Sequence, residues 1–299
     1  MTALRIPPAY ETRVLRNELM SRHTSWHVGG PADAWFAPAG ADELAGFLRE
    51  LPPDVPVTWV GLGSNLLVRD GGIRGVVISV HGILNGLERV GDRMVRAEAG
   101  VACARLGRQC AKWQLGPADF FAGIPGTVGG ALAMNAGAWG GETWPHVAEV
   151  ETIDRRGERH RRAATEYRYS YRSVTPPAAG EWYLAATFRF EPRPDASTDS
   201  IRKLLERRHA AQPIGEWSCG SVFTNPPGGH AAALIEAAGL KGHRIGGALV
   251  STKHANFIVN DGQATASDLE ALVRHVQETV QRVHGVRLTP EVRMIGEAA

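Results

Sequence analysis

A chain of 299 residues, 43% of them hydrophobic, is long enough for two or three domains with buried cores of their own. Its formal net charge of +2 argues against binding to nucleic acid or to an anionic membrane surface, because such binding normally requires a strongly basic region. The cysteines, Cys103, Cys110 and Cys219, include no Cys-x-x-Cys pair, so the sequence predicts neither a disulfide framework nor a metal site.

The N-terminal stretch Met1-Thr-Ala-Leu-Arg-Ile-Pro-Pro lacks the charged-then-apolar order of a signal peptide. No apolar run approaches the ~20 residues that span a bilayer. We therefore expect a soluble, cytoplasmic protein with no membrane-spanning segment.

Short β-strands are predicted through the first two-thirds of the chain. β-branched and other apolar residues form brief runs bounded by Pro or Gly, which is typical of strands joined by tight turns. From Trp182 to Phe190, apolar residues recur at every second position, as in a half-buried strand. The predicted strands cover residues 55–60, 75–80, 93–98, 147–154 and 182–190, with a hairpin turn at 155–157.

Helices are predicted where apolar residues recur at helical spacing and Gly or Pro follows. A helix over 101–115 is expected to end at Gly116 in the left-handed conformation. In the last helix, Ser267 and Glu270 have the spacing of a capping box, and Gly285 follows the apolar stripe as a stop. The other predicted helices cover 199–211 and 231–238, and a final strand is expected over 287–295.

Proline residues in Glu191-Pro-Arg-Pro-Asp-Ala-Ser197 interrupt the pattern of strands. Two prolines among polar residues are typical of a linker. The sequence therefore predicts a domain boundary at this segment.

Two glycine-bearing stretches carry most of the functional information. They are Gly61-Leu-Gly-Ser-Asn65 and Gly123-Ile-Pro-Gly-Thr-Val-Gly-Gly130, the second followed by Met134-Asn-Ala-Gly-Ala138. A backbone without Cβ atoms can lie against a pyrophosphate and direct several N–H groups at it. Neither stretch has the spacing of the Rossmann fingerprint or of the Walker A loop. Two such cradles predict a large dinucleotide bound by another fold.

Taken together, segments along most of the chain resemble the UDP-N-acetylenolpyruvoylglucosamine reductase family, flavoenzymes of bacterial cell-wall precursor synthesis. The resemblance covers roughly residues 22–296 in the expected order. The matching segments are 24–32 (TSWHVGGPA), 61–68 (GLGSNLLV), 121–131 (FAGIPGTVGGA), 171–172 (YR), 219–226 (CGSVFTNP), 238–242 (AGLKG), 254–260 (HANFIVN) and 288–293 (LTPEVR).

This resemblance implies an α+β fold of the two-subdomain FAD-binding type, like that of vanillyl-alcohol oxidase (PCMH-like), followed by a C-terminal α+β substrate-binding domain. The implied bounds are 1–80 and 81–192 for the FAD-binding subdomains and 193–299 for the substrate-binding domain. The implied cofactor is noncovalent FAD, with NADPH as co-substrate and a nucleotide sugar as substrate. No obligate protein partner is implied. The chain resembles the shorter type of the family, which lacks an inserted tyrosine-bearing loop.

By family position, the glycine-bearing stretches would hold FAD, and polar residues of the C-terminal domain would hold the substrate. The implied cofactor-binding residues are Gly61, Gly63, Ser64, Asn65, Leu66, Gly123, Ile124, Pro125, Gly126, Thr127, Gly129, Gly130, Asn135 and Gly137. The implied substrate-binding residues are Asn225, Lys241, Asn256 and Arg293.

The implied reaction passes hydride from NADPH to the flavin and then to C3 of an enolpyruvyl ether, after which C2 takes a proton. Ser221 takes the family position of the proton donor. Arg172 and Glu291 take the positions that stabilise the enolate, for which a guanidinium offers a planar fork to a carboxylate.

The position of the catalytic arginine has an alternative, because Tyr-Arg occurs twice between residues 167 and 172. The aromatic-small-Tyr-Arg pattern of the family favours Arg172. However, the serine expected two residues after the arginine is Val174 there, whereas Arg168 is followed by Ser170 at that spacing. Both arginines stay candidates at this point.

Two other functions fit parts of the sequence. A flavin oxidase or dehydrogenase of the same fold could act on a small alcohol or 2-hydroxy acid, and covalently attached flavin would support it. A non-catalytic protein that binds flavin or a nucleotide sugar would keep the loops without turnover. The set Ser221, Asn225 and Glu291 argues for the reductase.

Overall fold

The computed structural model describes residues 4–299, which combine helices and strands in the α+β manner predicted. The α-helices are α1 Ala41–Glu50, α2 Cys103–Lys112, α3 Val128–Met134, α4 Thr198–Ala211, α5 Ala231–Ala237 and α6 Ala266–His284. The strands are β1 Val14–Leu19, β2 Pro31–Phe36, β3 Val57–Val60, β4 Leu66–Val68, β5 Ile73–Ser79, β6 Leu87–Val90, β7 Met94–Glu98, β8 Leu115–Gly116, β9 Gly137–Ala138, β10 Gly141–Glu142, β11 Val147–Asp154, β12 Arg159–Ala163, β13 Arg168–Ser170, β14 Ser173–Thr175, β15 Glu181–Arg189, β16 Glu191–Pro192, β17 Trp217–Ser218, β18 Arg244–Ile245, β19 Ala248–Val250, β20 Ile258–Asn260 and β21 Arg293–Ile295. Along residues 4–299, no helix is both long enough and apolar enough to cross a membrane.

The chain forms two compact units. The first unit comprises residues 4–15, Ala34–Leu62 and Gly75–Leu205, and the second comprises Arg16–Asp33, Gly63–Arg74 and Glu206–Ala299. Unit boundaries along the chain fall inside β1, β2 and β5. The expected domain boundaries after residues 80 and 192 remain predictions.

The first unit is built on an antiparallel sheet with the order β12-β11-β15-β7-β6. Its central strand β15 covers most of the range predicted as a half-buried strand, and Leu184, Ala186 and Phe188 are buried there. Leu106 of α2 and Leu132 of α3 belong to the same buried cluster as Phe188. Burial of these side chains fixes α2 and α3 against the sheet. The predicted hairpin is also confirmed, since β11 pairs with β12 in antiparallel register.

The second unit is built on a smaller antiparallel sheet with the order β17-β20-β19-β18. Leu269, Leu272 and Val276 of α6 are buried in one cluster with Val250 of β19 and Ile258 of β20. A separate parallel pair joins β21 to β4. The apolar stripe predicted for the last helix is therefore the face that packs on this sheet.

Helix α6 begins differently from the prediction. Its N-cap is Thr265, whose hydroxyl accepts the N–H of Asp268 at 3.1 Å, while the Asp268 carboxylate accepts the N–H of Thr265 at 3.0 Å. The capping box predicted at Ser267 and Glu270 is wrong, because Ser267 donates its hydroxyl to Asp70 and Glu270 pairs with an arginine. The predicted stop is confirmed by Gly285, which has a φ of 71°.

Asp70 supplies additional acceptors for the beginning of α6. Its carboxylate accepts the N–H groups of Ala266 and Ser267, each at 2.9 Å, and the Ser267 hydroxyl at 2.6 Å. Burial works against ionisation, but these hydrogen bonds outweigh it and lower the pKa of Asp70. The ionised carboxylate therefore stabilises the fold.

Replacement of Asp70 by asparagine is expected to lower the free energy of unfolding at pH 7 by about 1–2 kcal/mol, the usual cost of losing a helix cap. Folding lowers the pKa of Asp70, so its carboxylate stabilises the folded protein fully at pH values above the unfolded pKa of 3.8. This stabilisation is lost as the pH falls through the pKa of Asp70 in the folded protein. Urea unfolding from pH 7 to pH 3 should therefore show the gap between the two proteins closing below about pH 4. Asp199→Asn, at an exposed carboxylate of α4, is the control expected to stay within about 0.5 kcal/mol of wild type. A gap that is constant with pH would contradict this account.

Two further predictions were wrong in detail. The helix predicted over 101–115 ends at Lys112, and the left-handed residue after it is Gln114, with a φ of 54°, because Gly116 is extended in β8 and pairs with Glu191. The final strand predicted over 287–295 is reduced to Arg293–Ile295. Pro290, which has no N–H to donate, forms only an isolated bridge with Phe223.

Candidate functional site

The glycine stretches of the first unit pack against each other. A Cβ atom on Gly61 would lie 2.6 Å from Oγ1 of Thr127, so only glycine permits this approach. Thr127 is buried and is the N-cap of α3, where its hydroxyl accepts the N–H of Gly130 at 3.3 Å. The close packing thus brings residue 61 to the point where the second glycine stretch turns into a helix.

Several N–H groups of the second glycine stretch already have acceptors within the protein. Val128 donates its N–H to Val101 at 2.8 Å, and Gly129 donates to Ala99 at 2.9 Å. Gly126 donates to Ile124 at 2.9 Å. Val128 and Gly129 thus hold the loop on residues 99–101. Fewer N–H groups of this loop are free to bind a phosphate than the sequence suggests.

The turn at residues 63–65 belongs to the second unit and, unlike the loop just described, has two consecutive N–H groups without acceptors in residues 4–299. Gly63 has a φ of 63°, and a Cβ atom there would overlap the carbonyl oxygen of His23. Gly63 is buried, yet within residues 4–299 neither its N–H nor that of Ser64 has a hydrogen-bond acceptor. Because buried N–H groups are almost always paired, these donors fit a bound anion such as a cofactor phosphate.

Arg172 lies at the tip of a short hairpin in the first unit. Strands β13 and β14 pair through Ser170 and Ser173, which leaves Tyr171 and Arg172 as the turn. Arg172 is half-buried with a φ of 56°, and its guanidinium donates to the carbonyl oxygens of Asn135 at 3.3 Å and Gly137 at 2.8 Å. These bonds orient the plane of the guanidinium.

Arg168 differs from Arg172 in its surroundings. It is exposed, and it lies in β13 opposite Thr175 rather than in the turn. The structure therefore places one arginine in a fixed, half-buried orientation and the other on an exposed strand.

The second unit holds Ser221 in a tightly packed segment. Val222 and Phe223 are buried directly after the half-buried Ser221, and Gly220 before it has a φ of 83°. Val222 donates its N–H to the carbonyl of Asn256 at 2.9 Å. The backbone on both sides of Ser221 is thus fixed by packing and hydrogen bonds.

Glu291 lies beside the same segment. Its N–H donates to the carbonyl of Val222 at 2.8 Å. Burial first, and then the charge of Glu291, raise the pKa of the Cys219 thiol well above its ordinary value. The carboxylate of Glu291 therefore acts electrostatically on the segment that carries Ser221.

The predicted cofactor residue Asn65 is joined to the strand that follows Glu291. The Asn65 amide donates to the carbonyl of Glu291 at 3.0 Å, and the N–H of Arg293 donates to the carbonyl of Asn65 at 3.0 Å. Leu66 then pairs with Arg293 at the beginning of the parallel β4–β21 pair. Residues predicted for FAD, catalysis and substrate thus share one hydrogen-bonded network in the second unit.

The other predicted substrate residues have different environments. Asn225 is exposed, and its side-chain oxygen accepts the N–H of Ala231 at the beginning of α5. Lys241 pairs with Glu236 at 2.7 Å. Asn256 is buried, and its amide makes two bonds to the backbone of Phe223. Their contact with substrate remains a prediction.

The sequence did not predict the environment of His254 or the hydrogen bond between Asn135 and Glu142. Burial first, and then the charge of Lys241, lower the pKa of His254, so the neutral imidazole is favoured beside this lysine. Glu142 of β10 accepts the side-chain N–H of Asn135 at 2.9 Å. The motif around residues 134–138 gives no signal for such a partner, because Glu142 lies outside it.

Away from these residues, Asp154, Glu158 and His160 bring three metal-ligating atoms within 4.8 Å of one another at the β11–β12 turn. Arg156 of the same turn lies 3.5 Å from the Asp154 carboxylate and 3.6 Å from that of Glu158. Asp154 also accepts the N–H groups of Arg156 and Glu158. These bonds account for the cluster as the polar network of a hairpin turn.

Comparison with protein families gives two matches along the chain. Residues 32–162 match a family described as an FAD binding domain, and residues 212–295 match the C-terminal domain of UDP-N-acetylenolpyruvoylglucosamine reductase. The order of the two matches agrees with the predicted fold, an FAD-binding part followed by a C-terminal domain.

Individual relatives extend the match to nearly the whole chain. The chain is 56% identical over 296 residues to UDP-N-acetylenolpyruvoylglucosamine reductase of Alkalilimnicola ehrlichii, covering 97% of this chain and 99% of the relative. It is 53% identical over 285 residues to the reductase of Methylococcus capsulatus, covering 95% and 93%. The crystal structure of the reductase from Thermus caldophilus is similar with a TM-score of 0.79 at 32% identity, covering 97% of this chain and 98% of that one. The chain belongs to the UDP-N-acetylenolpyruvoylglucosamine reductase family.

Proposed function

We propose that this protein is an FAD-dependent reductase that uses NADPH to convert the enolpyruvyl ether of UDP-N-acetylglucosamine enolpyruvate into UDP-N-acetylmuramate, a precursor of peptidoglycan. The observation that carries the proposal is the identity of 56% to a reductase of this name over 97% of the chain. The proposal is strengthened by the presence of Ser221, Arg172 and Glu291 at the implied catalytic positions.

FAD would supply the redox chemistry here, namely hydride transfer between NADPH and C3 of the substrate. The residues present fit such a cofactor. The buried N–H of Gly63 and that of Ser64 lack acceptors in the described part of the chain, which suits a phosphate. In the first unit, the glycine at position 61 is explained by its close packing on Thr127, so the fit to a cofactor phosphate depends on Gly63 and Ser64. The remaining implied cofactor residues lie in the same loops and in the segment after α3.

Ser221 is proposed to give a proton to C2 of the substrate. A hydroxyl is a weak acid, so the step requires a fixed geometry and a nearby group that stabilises or re-protonates the alkoxide left on the serine. The buried residues after Ser221 and the bond from Val222 to Asn256 supply the fixed geometry. Glu291, bonded through its backbone to Val222, is proposed as the neighbouring group.

Arg172 is proposed to bind the substrate carboxylate and stabilise the negative charge that develops on it. A guanidinium remains charged at all physiological pH values and presents a rigid set of donors. The bonds to the carbonyl groups of Asn135 and Gly137 support Arg172 over the exposed Arg168, since charge stabilisation is most effective from a preorganised group.

Asn225, Lys241, Asn256 and Arg293 are proposed to recognise the nucleotide-sugar part of the substrate, as their family positions imply. Lys241 carries a positive charge that suits a diphosphate. The expected cytoplasmic location and the expected lack of an obligate protein partner stay predictions.

The function is tested by visible absorption spectra of the purified protein before and after anaerobic NADPH, and again after UDP-N-acetylglucosamine enolpyruvate. We expect flavin bands that bleach with NADPH and return with the enolpyruvyl substrate. Bleaching without return would leave a flavin reductase with another electron acceptor, and the absence of flavin bands after FAD reconstitution would contradict the proposal. Flavin that stays with the protein after acid precipitation would favour a covalent flavin oxidase.

A further inference from the structure

Asn135 lies at the centre of a closed hydrogen-bond network in the first unit. It is fully buried and ends α3 with a φ of 50°, a left-handed conformation that asparagine tolerates better than most residues. Its side-chain oxygen accepts the N–H of Trp144 at 3.0 Å. Its side-chain nitrogen donates to Oε2 of Glu142 at 2.9 Å and to the carbonyl of Ser170 at 3.0 Å. Both amide hydrogens of Asn135 are thereby used.

The same residue contacts the Arg172 hairpin at two places. Through its side chain, Asn135 holds the carbonyl of Ser170, the last residue of β13 before the turn. Through its own carbonyl, Asn135 accepts a hydrogen bond from the guanidinium of Arg172. The backbone of the turn and the charged end of its arginine are therefore fixed on one residue, and the neighbouring Gly137 supplies the second acceptor.

We propose that Asn135, held by Glu142, is a positioning residue that orients Arg172 for the reaction. This inference rests on the proposed role of Arg172 toward the substrate. Glu142 accepts one amide hydrogen of Asn135, and Trp144 donates to its oxygen, so the amide cannot rotate by half a turn without losing both bonds. The side chain is thus kept in the orientation that binds Ser170.

The main test is Asn135→Asp, which keeps the oxygen that accepts from Trp144 but replaces the donating nitrogen with an oxygen. That oxygen faces the Glu142 carboxylate and the Ser170 carbonyl, so attraction becomes repulsion. Re-oxidation of the reduced holoenzyme by the enolpyruvyl substrate is expected to slow about 10²-fold, the cost of misplacing a catalytic group by roughly 1 Å. Because Asn135 is also an implied cofactor residue, FAD content and flavin reduction by NADPH are measured on the same protein, and rates are compared per bound FAD. A loss confined to re-oxidation supports the positioning role, whereas an equal loss in flavin reduction would contradict it.

Glu142→Gln is the matched control, because the glutamine oxygen still accepts from Asn135, and the rate of re-oxidation is expected to change by less than about fivefold. In Asn135→Asp combined with Glu142→Gln, the glutamine nitrogen donates to the new carboxylate. This double variant is expected to be re-oxidised about fivefold faster, or more, than Asn135→Asp alone. Failure of the pair to exceed Asn135→Asp alone would contradict the part assigned to Glu142.

A double-mutant cycle with Arg172→Ala separates this proposal from the proposed function. If Asn135 acts through Arg172, Asn135→Asp adds no further loss of re-oxidation rate once Arg172 is gone. Additive losses would overturn the positioning role. If Arg172→Ala by itself leaves re-oxidation unchanged, the role of Arg172 in the proposed function fails instead.

A second variant serves if Asn135→Asp does not yield folded holoenzyme. Glu142→Ala removes one acceptor at a half-buried position and leaves Asn135 in place. Re-oxidation is then expected to slow about fivefold, with flavin reduction unchanged. Unchanged re-oxidation in folded, FAD-loaded Glu142→Ala protein would overturn the proposal.

Discussion

Ser221→Ala protein is expected to be reduced by NADPH at nearly the wild-type rate and to return its electrons to the enolpyruvyl substrate about 10³-fold more slowly. The variant lacks the hydroxyl that is proposed to give a proton to C2. Flavin reduction requires no such proton donor, so the two half-reactions should respond differently. Stopped-flow absorbance of the flavin measures both steps on the same sample.

The packing around Ser221 makes this variant informative. Its neighbours Val222 and Phe223 are buried, and the N–H of Val222 is bonded to Asn256, so removing one hydroxyl should leave the backbone in place. Ser218→Ala, in β17 of the same unit, is the matched control that removes a hydroxyl three residues earlier. It is expected to retain both half-reactions within about twofold.

Equal rates for Ser221→Ala and wild type in the second half-reaction would remove the serine from the mechanism. A loss in both half-reactions, accompanied by loss of FAD, would instead show that the segment supports cofactor binding. The position of Glu291 beside Val222 would then need another explanation, because its proposed part depends on the serine.

Local signals in the sequence were sufficient for elements whose ends are set by their own residues. Helix α5 lies inside its predicted range and is followed by Gly239, which has a φ of 74°. Helix α6 ends before Gly285 as predicted. A glycine that takes the left-handed conformation marks a helix end without help from the rest of the fold.

Prediction failed where a distant residue decides the local structure. Ser267 and Glu270 have the spacing of a capping box, but Ser267 bonds to Asp70 and Glu270 pairs with Arg69, both about two hundred residues away in the chain. The box is therefore formed by Thr265 and Asp268 instead. The sequence of a helix does not show which of its polar residues will bind a carboxylate from a distant segment.

The same distinction applies to the candidate site. Ser221, Arg172 and Glu291 are predicted from their motifs, since each lies in a segment with a recognisable sequence. Their supports come from other segments, as in the bonds from Asn135 to Glu142 and Ser170. A motif points to a candidate for the chemistry, but the contacts that would orient that residue arise from the tertiary fold.

Asn256→Ala is expected to lower the free energy of unfolding by about 2–4 kcal/mol. The Asn256 side chain is buried, accepts the N–H of Phe223 at 3.0 Å and donates to the carbonyl of Phe223 at 2.8 Å. Alanine would leave both buried backbone groups without partners, and each such group costs about 1–3 kcal/mol. Thermal and urea unfolding of the holoenzyme measure this loss.

The result also decides between two roles for Asn256. A residue that only contacts substrate would raise KM for the UDP substrate and leave the unfolding midpoint unchanged. A residue that supports the segment after Ser221 should lower the midpoint and slow re-oxidation of the reduced flavin, while flavin reduction by NADPH stays unchanged. The hydrogen bonds to Phe223 favour the second outcome.

Asn225→Ala is the matched control, because Asn225 is also an implied substrate residue but is exposed, with a single bond to the N–H of Ala231. Water can replace that bond, so the free energy of unfolding should fall by less than about 1 kcal/mol. If both variants unfold at the same midpoint, the support assigned to Asn256 is contradicted. If only Asn256→Ala has a lowered unfolding midpoint, the two asparagines contribute differently to stability although the family resemblance predicts the same role for both. The reason is that the Asn256 side chain is buried against backbone, whereas that of Asn225 faces water.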